Sequence, residues 1–70
     1  MFVDELARVL ALLSNMPMLG EPYRRGAAPS GMRRFALRRV KCYLYYTVDT
    51  KKRQILIHAI WHWSRGRGPF

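Results

Sequence analysis

The apolar residues of this chain keep one period at its front and another at its back, and that change restricts the fold more than composition does. Phe2, Leu6, Val9, Leu10 and Leu13 fall at i, i+4, i+7, i+8 and i+11, one face of an α-helix. Val3 and Leu12 widen the face, and Pro17 then Gly20 end the pattern, so the spacing predicts a helix over about 2–15. Residues 20–31 carry Gly20, Pro22, Gly26, Pro29, Ser30 and Gly31, which reads as a loop. From Met32 the period is two. Val40, Cys42, Leu44, Tyr46 and Val48 share one face, with Lys41, Tyr43, Tyr45 and Thr47 on the other. Ile55, Ile57, Ala59 and Trp61 alternate with Leu56, His58, Ile60 and His62, across a polar turn at Asp49–Lys52. Phe35 and Leu37 alternate with Arg34, Ala36 and Arg38. The expected fold is α+β in one domain, 1–70: a helix at about 2–15, a loop at 16–31, then a three-stranded antiparallel meander at about 32–64.

Seventy residues make one small domain with a thin stability margin. Half of them are hydrophobic, which excludes a disordered tail. The single cysteine excludes an intramolecular disulfide framework and fits the cytoplasm. With no apolar run long enough for a span, no membrane role is expected. Thirteen Lys/Arg against four Asp/Glu give a net charge of +9, and Asp49 is the lone acid after Glu21. A polycation of this kind seeks phosphate or a carboxylate-rich protein, and charge alone does not choose between them.

The order of four short patterns is similar to that of a known family. Leu13, Met16-Pro17 and Gly20 resemble the end of the second helix in RelE/ParE toxins of type II toxin–antitoxin pairs. Gly31-Met32-Arg33 resembles the entry to their central strand, and Tyr43-x-Tyr45-Tyr46-Thr47-Val48-Asp49 resembles a strand and turn. Ile55, Ile57, Ile60, His62 and Arg65 resemble the strand that closes the domain. The resemblance implies a curved antiparallel sheet with helices packed on it. It also implies that a strand and a first hairpin helix normally precede this helix. An N-terminally truncated domain is therefore expected, in keeping with a helix that has no Ser, Thr, Asp or Asn ahead of Phe2 to cap it. A missing strand would leave a sheet edge open and favour homo-oligomers through it.

Two activities follow from the resemblance. The ParE branch poisons DNA gyrase by protein interaction and is neutralised by a cognate acidic antitoxin. The RelE branch cleaves mRNA on the ribosome without a metal or other cofactor, using basic residues around the scissile phosphate. Arg65 holds the family's C-terminal arginine position and suits phosphate. Tyr43 stands where the RNase branch carries an arginine, and no carboxylate is expected on the sheet to act as a base. Catalytic candidates are thus Arg65, His62 and Tyr43, and the ParE-like branch is favoured. A basic RNA-binding module, with Tyr43, Tyr45, Trp61 and Trp63 as stacking platforms, is the reading outside the family. Packing is the bland reading of those aromatics.

No metal site is expected. On an unbroken strand His58 and His62 stand roughly 13 Å apart, too far to share one ion. Cys42 reads as a small core residue. His62 is either a packed strand-end histidine or a general acid or base beside Arg65. Arg33, Arg34, Arg38, Arg39, Lys41 and Arg65 are the expected contacts for phosphate or an acidic partner, against the simpler reading of a solvated face.

Overall fold

A computed structural model describes residues 2–66 and 68–70, with the Phe2 side chain outside the described set. The contribution expected of Phe2 to the helix face therefore lies outside the described residues. Helix α1 covers Phe2–Asn15, the span that the apolar spacing predicts. Asp4 and Glu5 sit in its first turn, where acids complement the helix dipole. Val9 and Leu13 are buried, with Leu6 and Leu10 half-buried beside them. Val3 and Leu12, expected to widen the face, are exposed instead, Val3 at 72%. The sheet covers a narrower stripe of the helix than the hydrophobic pattern offers.

The segment expected to be a structureless loop holds two short elements. Pro17–Leu19 form a 3-10 turn, and Glu21–Pro22 form strand β1. Then come β2 (Arg33–Leu37), β3 (Cys42–Asp49), β4 (Gln54–His62) and a second 3-10 turn at Trp63–Arg65. The sheet has the order β1-β2-β3-β4 and is antiparallel throughout, with four strands where three were expected. β1 hides from sequence reasoning because it is two residues long and contains a proline. Pro22 is tolerated there because β1 is an edge strand.

Two further differences decide where the functional side chains point. Residues 38–41 form the β2–β3 turn, so Arg38, Arg39, Val40 and Lys41 are turn residues and not strand positions. Lys41 takes φ 55°, a left-handed conformation that costs a non-glycine residue on the order of 1 kcal/mol. The second difference is a bulge. Tyr45 pairs with Ala59 but Tyr46 pairs with Ile57, leaving His58 as an extra residue in β4. The expected alternation of β4 therefore breaks at His58. Ile55, Ile57, Ile60 and His62 lie on the helix side of the sheet, and Leu56, Ala59 and Trp61 lie on the other side.

Each face of the sheet carries its own small core. On the helix side Val9, Leu13, Leu37, Cys42, Leu44 and Tyr46 pack together. On the other side Tyr23, Met32 and Tyr45 pack with Tyr43, Ala59, Trp61 and Phe70. Tyr23 and Tyr45 meet edge to face at 4.9 Å, an arrangement that favours aromatic pairs. Cys42 lies in the helix-side core, as expected of a packing residue. Among the described residues no helix is long and apolar enough to cross a membrane.

Candidate functional site

The basic residues of β2 and its turn separate into two classes. Arg33 and Arg34, expected to contact a partner, are occupied inside the molecule. Arg33 lies on the helix side, opposite Tyr46, and its Nη1 donates to the carbonyls of Gly20 and Met18. It thereby holds the 3-10 turn against the sheet. Arg34 lies on the other face and forms an ion pair with Glu21, its cross-strand neighbour on β1. Its guanidinium sits 4.2 Å from the Tyr43 ring centre and 5.4 Å from that of Tyr23. Burial alone would lower the Arg34 pKa, but hydrogen bonding to the Glu21 carboxylate and to neighbouring Tyr45 outweighs it and raises it above the ordinary value. Both guanidinium groups thus have partners within the fold.

The others gather at one end of the sheet. Cys42 pairs with His62, and the Trp63 amide donates to the Lys41 carbonyl at 2.8 Å. These bonds seat the Trp63–Arg65 turn beside the β2–β3 turn. Arg38, Arg39, Lys41, His62 and Arg65 are all exposed there. Arg39 reaches Glu5 of α1 at only 3.9 Å, and a pair this long and exposed contributes little. Arg65 is steadied by the Trp61 ring, 5.3 Å from its guanidinium carbon.

His62 caps the turn that carries Arg65. Its Nδ1 accepts from the Ser64 amide at 3.1 Å and lies 2.8 Å from Ser64 Oγ. Through that bond His62 ties the end of β4 to the Trp63–Arg65 turn. The strand-end reading of His62 fits its bond to the Ser64 backbone, although the side chain is exposed and not packed. Tyr43 is a stacking residue: Arg34 covers it on one flank and Trp63 lies 5.6 Å away. His58 bonds Thr47 Oγ1 at 2.9 Å on the face opposite to His62, because the bulge turns it over. Among the described residues no cluster of His, Cys, Asp or Glu is arranged to hold a metal ion.

Sequence reasoning missed the clasp that fixes the helix to this sheet. Tyr46 Oη accepts from the Gly20 amide at 2.9 Å and donates to the Pro17 carbonyl at 2.8 Å. A Cβ at position 20 would stand 2.5 Å from that oxygen, so only glycine fits. Burial raises the Tyr46 pKa, opposed in part by the Gly20 amide and Arg33. The signal was the pattern Met16-Pro17-x-x-Gly20 itself, which sequence alone reads as a helix stop.

At this end of the sheet Arg38, Arg39, Lys41, Arg65 and His62 are each exposed, with Arg39 toward the helix side and Arg65 over Trp61 on the other face. Such a surface takes up carboxylates or phosphates and focuses them by its field. A family model described as the ParE toxin of the type II toxin–antitoxin system, parDE, matches residues 1–66. No curated protein and no solved structure matches the chain. With a match over nearly its whole length, on a helix and antiparallel sheet that fit the family resemblance, the chain belongs to the ParE toxin family.

Proposed function

We propose that this toxin acts by protein interaction on a gyrase-type target in the cytoplasm, and that a cognate acidic antitoxin neutralises it by covering the same cations. The observation that carries the reading is the division among the arginines. Arg33 and Arg34 are spent on the fold, whereas Arg38, Arg39, Lys41 and Arg65 stand exposed at one end of the sheet. Exposed cations on a structured edge give electrostatic steering and specificity toward an acidic surface. The test is DNA supercoiling by purified gyrase with and without the chain. Inhibition that the antitoxin relieves is the expected result, and unimpaired supercoiling at saturating toxin overturns the gyrase target.

A second reading has one observation in its favour. His62 and Arg65 are exposed where β4 ends, and Lys41 is exposed in the turn whose carbonyl accepts from the Trp63 amide, so an imidazole and two cations, groups of the kind phosphate-ester cleavage requires, belong to one end of the sheet. This is ribosome-dependent mRNA cleavage in the manner of the RelE branch. Reading the ends of mRNA from a translation extract separates the two: cuts at the ribosomal A site support cleavage, and intact message supports interaction alone.

A further inference from the structure

The chain between β1 and β2 is closed by backbone bonds. The Tyr23 amide donates to the Met32 carbonyl at 2.8 Å. Inside that link the Ala28 amide donates to the Arg25 carbonyl at 2.9 Å, and the Met32 amide to the Pro29 carbonyl at 3.2 Å. Gly26 at φ 52° and Gly31 at φ 80° provide the left-handed backbone within these two turns. Tyr23 and Met32, both buried, anchor the loop to the sheet. Where the loop meets the end of the sheet lies an open cavity of about 710 Å³, within the range of small-molecule sites.

Its lining says what can bind there. Arg24, Arg25 and Arg33 line it, and among the described residues no Asp or Glu does. Arg24 and Arg25 are exposed. Arg33 is half-buried and anchored by one nitrogen: Nη1 donates to the Gly20 and Met18 carbonyls at 2.5 and 3.2 Å. Its Nε and Nη2 have no partner among the described residues, so a guanidinium already held in place keeps donors to offer. The β3–β4 turn belongs to the same end of the sheet, because β2 begins opposite Tyr46 and β3 runs on to Asp49. Its exposed Lys51, Lys52 and Arg53 add to the positive field there. The two acids on the strands at this end are engaged, Glu21 with Arg34 and Asp49 with the Lys52 amide. The cavity also has an apolar wall of Val48 and Met18, the latter 56% exposed, and a thioether suits the edge of a flat ring.

We infer that this cavity binds a small ligand that joins a phosphate chain to a flat ring, a nucleoside diphosphate in class. A diphosphate brings about three negative charges near neutral pH, one for each guanidinium of the lining. The guanidinium forks match phosphate oxygens two at a time, and the ring takes the wall of Met18 and Val48. The cavity lies at the opposite end of β2 from Arg38, Arg39 and Lys41. It is therefore separate from the surface proposed for protein partners, and failure of the gyrase reading leaves it standing.

The experiment titrates the full chain with ADP, inorganic pyrophosphate and adenosine, following amide chemical shifts residue by residue. ADP is expected to give saturable shifts centred on residues 24–33 and 48. Pyrophosphate is expected to shift the same amides with a Kd several-fold higher, since it leaves the apolar wall empty, by about the worth of one thioether–ring contact. Adenosine, without the charge, is expected to bind at least about tenfold more weakly than ADP. Arg24→Ala combined with Arg25→Ala, both exposed, is expected to raise the ADP Kd about tenfold or more while the thermal melt stays unchanged. Shifts that never saturate, or that centre on residues 38–41 and 62–65, overturn the inference. So does a folded double variant that binds ADP as tightly as the wild-type chain. Equal affinity for pyrophosphate and ADP overturns the assignment of a ring to the wall. A single-stranded RNA that shifts the same amides at lower concentration per nucleotide than ADP overturns it in favour of a nucleic-acid surface.

Discussion

Replacing Tyr46 by phenylalanine removes one oxygen atom, and the structure assigns that atom two hydrogen bonds. It accepts from the buried Gly20 amide and donates to the Pro17 carbonyl, joining the end of α1 to the centre of β3. The ring keeps its volume, so the packing of Leu13, Leu44 and Tyr46 is retained. What changes is that a buried N–H loses its partner, at a cost of about 1–3 kcal/mol. The Pro17 carbonyl, half-buried, adds about 0.5–1 kcal/mol. The loss is therefore about 1.5–4 kcal/mol, against a total stability of roughly 4–10 kcal/mol for a domain of this length. Urea unfolding measures it. With a slope of about 1 kcal/mol per molar, the midpoint should fall by about 1.5–4 M with the slope unchanged. A fall smaller than about 0.5 M would show that water replaces the phenol without loss, and the clasp would then have no part in joining helix to sheet.

Other perturbations have expected outcomes of their own. Gly20→Ala places a methyl group 2.5 Å from Tyr46 Oη and 3.0 Å from the Arg34 carbonyl, so it should destabilise by about 1–3 kcal/mol. In the Tyr46→Phe background the same change should cost less, and a thermal-melt double-mutant cycle measures the coupling. Burial raises the pKa of both Tyr45 and Tyr46 above the ordinary 10.0. Because the folded chain holds these protons more tightly, their contribution is fully present below pH 10 and is lost as pH rises through the folded values. Urea midpoints should therefore decline only above about pH 10, together with the appearance of tyrosinate absorbance. Arg38→Ala combined with Lys41→Ala should leave stability within about 0.5 kcal/mol, because both side chains are exposed, whereas Arg33→Ala should lower the melting temperature.

The sequence made the helix legible because its apolar residues and Pro17 specify α1 without reference to anything distant. The two long strands were legible for the same reason, since period two is a local signal. The bulge was not. Whether Tyr46 meets Ile57 or His58 depends on pairing between strands, and that register assigns Ile60 and Trp61 to opposite faces. The exposure of the candidate residues was half legible. Arg65, Arg38, Arg39 and Lys41 read correctly as exposed cations, but alternation could not foretell that residues 38–41 turn. Nor could it separate Arg33 and Arg34 from them. Their partners, the Gly20 carbonyl and the Glu21 carboxylate, come from a two-residue strand whose sequence signal is a proline. Identical residue types one position apart thus differ in role because β1 lies beside one stretch of β2 and not beside its turn.

In the proposed mode of action the toxin engages its protein partners through the exposed cations at one end of the sheet. Titration of the cognate antitoxin against the wild-type chain and against Arg38→Ala, Arg39→Ala, Lys41→Ala and Arg65→Ala combined, each at low and moderate salt, tests it most directly. The combined variant should stay folded, bind at least about tenfold more weakly at low salt, and lose most of the salt dependence. Equal affinity and equal salt dependence in a folded variant would contradict it.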